Sequence, residues 1–184
     1  MARIDQTPGI RPRLTLGRRL DIAERHGFPA ALTVLLMIVV EAPLKIPLQA
    51  AFLPAVALIS VFFWSVYRPT AMSPPTVFVL GVLLDLRGYL PLGSGVLTLL
   101  ITHGIALLWR RMLLNHRFGL VWLAFVPIAI GGSALLWILA QLLNFRLLSP
   151  GPAIFQAVVT TALYPVLAMP YLLAHRSVAD PEQA

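Results

Sequence analysis

Long apolar stretches, separated by short segments rich in proline and charge, constrain the fold of this chain more than any other feature. Of its 184 residues, 59% are hydrophobic and 11% are charged, and the mean hydropathy is +0.85. A soluble domain carries about 25% charged residues. Water would not solvate so apolar a chain, whereas helices satisfy their own backbone groups in lipid. The sequence therefore predicts an all-α integral membrane protein, folded as a compact bundle of transmembrane helices.

The sequence contains no pattern typical of catalysis or of cofactor binding. It has no cysteine, which excludes disulfides, iron–sulfur clusters and thiolate zinc sites. It also has no G-x-S-x-G, H-E-x-x-H or P-loop motif. We therefore expect a protein that is not an enzyme and that holds no cofactor and no metal.

Six apolar stretches are predicted to cross the membrane, the third of them short and interrupted. The stretches cover residues 28–44, 50–67, 72–89, 93–109, 118–145 and 153–174. Residues 1–27 are predicted to form a basic cytoplasmic tail, 28–176 a six-helix transmembrane domain, and 177–184 a short cytoplasmic tail. The arginines of the first tail are expected to contact anionic membrane lipid.

The distribution of positive charge supports six crossings with both termini in the cytoplasm. With six crossings, eleven Lys and Arg residues fall on the side of the termini and three on the other. If 72–89 did not cross, the division would be nine to five. Cytoplasmic loops carry the excess of positive charge. The net charge of +7 therefore reflects topology, and no nucleic-acid partner is expected.

The segment 74–93 places an aspartate inside an apolar run. Asp85 is the only charged residue between Thr76 and Leu86, and a carboxylate at mid-bilayer costs about 2.5–3.5 kcal/mol. Gly88, Pro91 and Gly93 then end the helix and turn the chain. Two interpretations follow. Asp85 caps this turn by accepting its N–H groups, or its charge pairs with a cation or with a partner protein.

Other polar groups lie at the same predicted outer end or inside the membrane. A possible outer charge cluster contains Glu41, Lys45, Arg87 and Arg146. In the alternative interpretation, Glu41 reaches the interface and pairs with Lys45. His103 lies about 15 Å below Gly93 along its helix, so we expect it to form a neutral interhelical hydrogen bond rather than a pair with Asp85. Gln141 and Asn144 are expected to bond across helices in the same way.

The pattern in segment 74–93 resembles the rod shape-determining protein MreD family. The residues that carry the resemblance are Phe78, Gly81, Leu84, Asp85, Gly88, Pro91, Leu92 and Gly93. The resemblance implies a fold similar to the substrate-binding subunits of energy-coupling-factor vitamin transporters. It also makes six residues candidates for partner docking, namely Gly81, Asp85, Gly88, Pro91, Leu92 and Gly93.

The resemblance further implies a scaffold in the bacterial inner membrane that maintains rod cell shape during lateral peptidoglycan synthesis. The expected partner is a bitopic MreC-like protein, with an MreB-like filament and peptidoglycan synthases as indirect partners. Two other functions remain open. One is a vitamin-binding subunit of a transporter, which would need a pocket with convergent polar groups. The other is a proton-coupled channel or transporter that uses Asp85 and His103.

The predicted topology can be tested by labelling single cysteines, since the chain contains none of its own. Cysteines at Gln6, Asn115 and Ala179 should resist an impermeant maleimide in intact cells and react after permeabilisation. A cysteine at Leu148 should react in both conditions. Labelling of the Asn115 variant from outside would contradict the crossing by residues 72–89.

Overall fold

The computed structural model describes residues 16–42, 49–88, 90–145 and 147–179, with side chains from Gly27 to Leu172 within these ranges. In these ranges the chain forms six α-helices and one short 3-10 turn, Gln49–Ala51, and contains no strand. The helices are α1 Leu16–Glu41, α2 Phe52–Tyr67, α3 Pro74–Arg87, α4 Ser94–Leu113, α5 Phe118–Asn144 and α6 Gly151–Ala179.

The helical architecture is confirmed, and four segments are long and apolar enough to cross a membrane, as a helical membrane protein requires. They are Gln49–Tyr67, Ser94–Leu113, Phe118–Asn144 and Gly151–Leu172. The apolar part of α1, Gly27–Glu41, is shorter. Helix α3 has 14 residues and a length of about 21 Å, whereas the hydrocarbon core is about 30 Å thick. The crossings by α1 and α3 therefore stay predictions.

Helices α1 and α6 extend beyond the apolar stretches that predicted them. Helix α1 begins at Leu16, whereas its apolar part, Gly27–Glu41, starts one residue before the predicted stretch 28–44. Helix α3 is short and ends at Arg87, so the helix breaks at Gly88, where the predicted turn begins. Helix α6 extends to Ala179 through two prolines, past the predicted start of the second tail. Residues 1–15 and 180–184 of the predicted tails lie outside the described residues.

Helix α2 is the centre of the bundle. Every residue from Leu53 to Val66 is buried, and each of the other five helices contacts α2. The sequence of α2 permits this position, because the helix has no charged side chain that would have to be buried. Around it, α3 packs against α4, α4 against α5, and α5 against α6.

Aromatic side chains join α2 to α5 and α6. The ring centroid of Phe125 lies 5.0 Å from that of Phe62 and 4.6 Å from that of Tyr164. Nearer the middle of α2, the Ser60 hydroxyl lies 2.5 Å from the Tyr171 hydroxyl. Interlocked rings contribute more than their buried area alone because they adopt preferred geometries. The core is therefore built from residues distant in sequence.

Helices α3 and α4 form a hairpin whose backbones approach closely. A Cβ atom placed on Gly81 would lie 2.5 Å from the Cα of Val96, nearer than any real contact. Small residues permit this kind of approach between membrane helices. Gly81, one of the residues that carry the family resemblance, is therefore required by the close packing of α3 against α4.

Substitution of Gly81 by alanine should destabilise the protein, because the new methyl group collides with backbone. We expect a loss of about 1–3 kcal/mol, seen as a lower midpoint of thermal unfolding in detergent. Gly104 offers a matched control in α4, since a Cβ there meets nothing within 4 Å. Gly104→Ala should keep or raise the midpoint. Equal stability of the two variants would contradict the close packing.

Candidate functional site

The carboxylate of Asp85 lies at the end of α3 and accepts hydrogen bonds from the start of α4. Its Oδ2 accepts the N–H of Gly93 at 2.7 Å, and its Oδ1 accepts the N–H of Gly95 at 2.6 Å. Longer contacts reach the Ser94 hydroxyl at 3.4 Å and the Val96 N–H at 3.5 Å. Asp85 is 3% exposed. The carboxylate therefore caps the first turn of the next helix.

This contact explains how a charge is tolerated in an apolar helix. The first N–H groups of a helix have no partner inside the helix, and the helix dipole places partial positive charge there. A carboxylate that accepts two such N–H groups forms strong, charge-assisted bonds. The geometry agrees with the capping interpretation. One N–H group that Asp85 accepts belongs to Gly93, in the predicted turn, and the other belongs to Gly95, in the first turn of α4.

Two glycines make the cap possible. Gly93 has a φ of +94°, in the left-handed region that side chains disfavour. At Gly95, a Cβ would lie 2.5 Å from Asp85 Oδ1 and would displace the carboxylate. Gly95 is not among the residues that carry the family resemblance, although its spacing of ten residues from Asp85 places it at the start of the next helix.

The turn between the two helices exposes a small apolar surface. Leu86 is 66% exposed and Leu92 is 72% exposed, while a Cβ on Gly93 would meet open space. We call these three residues the hairpin tip. Pro91 stands beside them, and its carbonyl accepts the N–H and the hydroxyl of Ser94 at 3.1 and 2.6 Å.

Gly88 and Gly95 do not belong to this surface. Gly95 is buried against Asp85 and Leu84, and a Cβ on Gly88 would collide with the Leu84 carbonyl oxygen at 2.7 Å. Both glycines therefore serve contacts inside the hairpin.

An ion pair joins the end of α1 to the end of α3. Arg87 Nη1 lies 2.5 Å from Glu41 Oε2, and the two side chains are 47% and 23% exposed. Such a partly exposed pair contributes about 0–1 kcal/mol. The structure thus brings together two members of the predicted charge cluster. The other two, Lys45 and Arg146, lie outside the described residues, and so does the predicted contact between Glu41 and Lys45.

Gln49 completes this end of the bundle and was not singled out from the sequence. Its Nε2 donates to the carbonyl oxygen of Val40 at 2.7 Å and to that of Ala42. The side chain thus satisfies carbonyl groups left free at the end of α1. A polar residue at the start of an otherwise apolar stretch is the feature that could have indicated this role.

His103 links α4 to α2, as expected of an interhelical hydrogen bond. Its Nδ1 lies 2.7 Å from the Ser65 hydroxyl. The residue stands eight positions beyond Gly95, a distance of about 12 Å along the helix. Asp85 and His103 therefore bond to different parts of the bundle.

The prediction for Gln141 and Asn144 was wrong. Gln141 Oε1 accepts the N–H of Leu148, at 3.3 Å, in the connection that follows α5. Asn144 Nδ2 donates to the Ala140 carbonyl of its own helix at 2.8 Å. Both side chains thus bond near the end of α5 instead of joining two helices, because backbone groups of the same helix and of the connection after it lie within their reach.

Comparison of this chain with protein-family models, with curated proteins and with solved structures finds no match in any of the three.

Replacement of Asp85 by asparagine should remove one of the two short hydrogen bonds. The amide oxygen still accepts one N–H group, but the amide NH2 group then faces the other. We expect a loss of about 1–3 kcal/mol and a lower unfolding midpoint in detergent. The matched change Glu41→Gln affects a more exposed carboxylate and should cost less than about 1 kcal/mol. An unchanged midpoint for Asp85→Asn would contradict the cap.

Proposed function

We propose that this chain is a non-catalytic scaffold that resembles MreD and docks a single-span, MreC-like protein in the inner membrane of a rod-shaped bacterium. The observation that carries the proposal is the rigid α3–α4 hairpin. Residues of the resemblance have definite roles in it: Gly81 permits close packing, and Asp85 caps the helix that begins after Gly93. The hairpin holds an exposed apolar tip in one orientation.

The hairpin tip suits the docking of another membrane helix. Leu86 and Leu92 offer exposed apolar side chains, and the open space beside Gly93 lets a partner backbone approach. A turn fixed by two carboxylate bonds loses little conformational freedom when a partner binds. The proposed contact surface is therefore Leu86, Leu92 and Gly93, and the buried Gly95 is not part of it.

In this proposal the chain acts in the elongation machinery, with both termini in the cytoplasm. Four arginines with described side chains lie at the end of the bundle opposite Asp85, and Arg87 lies at the Asp85 end. The four are Arg68, Arg110, Arg111 and Arg117. Such an asymmetry supports a cytoplasmic position for the four-arginine end. Through the MreC-like partner, the scaffold would act together with an MreB-like filament and with peptidoglycan synthases.

No specific contact favours either alternative function. A cavity of about 510 Å³ between α4 and α5 has Thr98 and Thr102 as its polar lining residues, whereas a vitamin site would use several convergent polar groups. Asp85 and His103, the residues named for a proton pathway, are held by separate hydrogen bonds.

A change at the hairpin tip should disrupt docking without disrupting the fold. Leu92→Gln places a polar group on an exposed surface, so the unfolding midpoint should be retained while co-purification of the MreC-like protein falls about tenfold, the effect of a typical docking residue. Leu147, which is 98% exposed in the connection after α5, provides the matched control Leu147→Gln. That variant should co-purify normally.

The same variants can be tested in cells. Depletion of the protein should make rod-shaped cells widen and round, and the Leu147→Gln gene, but not the Leu92→Gln gene, should restore the rod. Depleted cells that keep their shape, together with a pull-down that lacks an MreC-like protein, would contradict the scaffold proposal. A vitamin that raises the unfolding midpoint of the purified protein would then favour the transporter subunit.

A further inference from the structure

A lateral groove separates parts of α4 and α5. It has a volume of about 510 Å³ and an almost entirely apolar lining. Both helices are among those long and apolar enough to span a membrane, and a bilayer around them would place the groove in its hydrocarbon region. Its walls include Ile101, Ile105 and Leu108 of α4 and Pro127, Gly131 and Leu135 of α5.

Two glycines, Gly131 and Gly132, line the α5 side of the groove and leave space there. Gly131 carries no side chain, and a Cβ there would meet nothing within 4 Å. In a bilayer, an apolar groove is filled by hydrocarbon chains, because the side chains of an empty groove would lose dispersion contacts. The walls therefore match a hydrocarbon chain.

Positive charge lies where the groove approaches the membrane interface. Trp109 lines the groove close to the end of α4, and tryptophan favours the level of the lipid headgroups. Arg111 follows Leu108 by three positions, which places it on the same side of α4. Arg117 immediately precedes α5 across the short connection. Both arginines are exposed, whereas Arg110 donates its Nε–H to the Val66 carbonyl at 2.9 Å.

This charge is not neutralised by the described part of the chain. The acidic residues with described side chains are Glu41 and Asp85, and both lie at the opposite end of the bundle. Among the described side chains, Arg111 and Arg117 therefore have no acidic partner, and both are exposed to an anion at the headgroup level. Lys and Arg near a membrane surface each contribute about 1 kcal/mol to the attraction of anionic lipid.

We propose that the α4–α5 groove binds an anionic phospholipid, with an acyl chain between the helices and its phosphate at Arg111 and Arg117. A partner helix fits the charges less well. The positive-inside bias gives such a helix its own Lys and Arg residues at the same end, where they would repel the two arginines. The site is independent of the proposed scaffold function and differs from the lipid contact expected of the N-terminal tail.

The test uses the full chain in detergent micelles. Phosphatidylglycerol and phosphatidylcholine with identical acyl chains are added separately, and the unfolding midpoint is measured. Tenfold tighter binding of the anionic lipid corresponds to a difference of about 3–5 °C for a chain of this size. Soluble glycerol phosphate, which has the phosphate but no acyl chain, should give no shift.

Two pairs of variants locate the site. Arg111→Gln combined with Arg117→Gln should abolish the difference between the two lipids, whereas Arg68→Gln, a change at the same end of the bundle, should retain it. Gly131→Leu fills the groove and should abolish the response to both lipids. Gly104→Leu adds the same bulk to α4 at a residue that does not line the groove, and should retain the response.

Three results would overturn the proposal. The first is an equal shift with both lipids in the unaltered protein. The second is a preference for phosphatidylglycerol that survives in the double arginine variant, whose exposed substitutions should not impair folding. The third is a Gly131→Leu protein that keeps its lipid response but loses a co-purifying protein, which would assign the groove to a partner helix.

Discussion

Backbone groups at the ends of helices need partners, and in this bundle they find them on other segments of the chain. Asp85 of α3 accepts N–H groups at the start of α4. Gln49 donates to carbonyl groups at the end of α1, and Arg110 of α4 donates to the Val66 carbonyl near the end of α2. Where water is scarce, an unpaired backbone group costs several kcal/mol. These contacts fix helix ends and relative helix positions together.

The cap at Asp85 also changes how the resemblance is understood. The glycines and the aspartate that suggested a docking segment are used inside the hairpin, and the exposed side chains belong to leucines. Loss of activity after a change at Gly81 or Asp85 would therefore not distinguish a damaged scaffold from a lost partner contact. Substitutions at Leu86 and Leu92 would distinguish these two effects, because neither side chain is buried in the bundle.

Much of the helical framework was predictable because each stretch is apolar and ends at proline, glycine or charge. The six helices of the described residues correspond to the six predicted stretches, and the capping role of Asp85 was one of two interpretations. Helix ends were less predictable. Helix α1 begins within a polar segment, and α6 continues beyond His175 and Arg176. Helical geometry can continue past the apolar residues that reveal it.

The arrangement of the helices was not predictable from the apolar pattern. Lipid and protein interior are equally apolar, so nothing in the periodicity distinguishes the enclosed α2 from its neighbours. The pairing of Glu41 with Arg87 joins residues 46 positions apart, and the predicted charge cluster did not indicate which of its members would be in contact. Contacts between distant residues depend on the packing order, which a single sequence does not reveal.

The separation of contacts along the chain has a consequence for biosynthesis. The Asp85 carboxylate accepts N–H groups that lie only eight and ten residues later, so its charge can be compensated as soon as α4 begins to form. Helices α3 and α4 can thus pair as soon as both have been synthesised. Ser60 of α2, by contrast, meets Tyr171 only 111 residues later. The contacts that enclose the central helix on its α6 side can therefore form only when translation is almost complete.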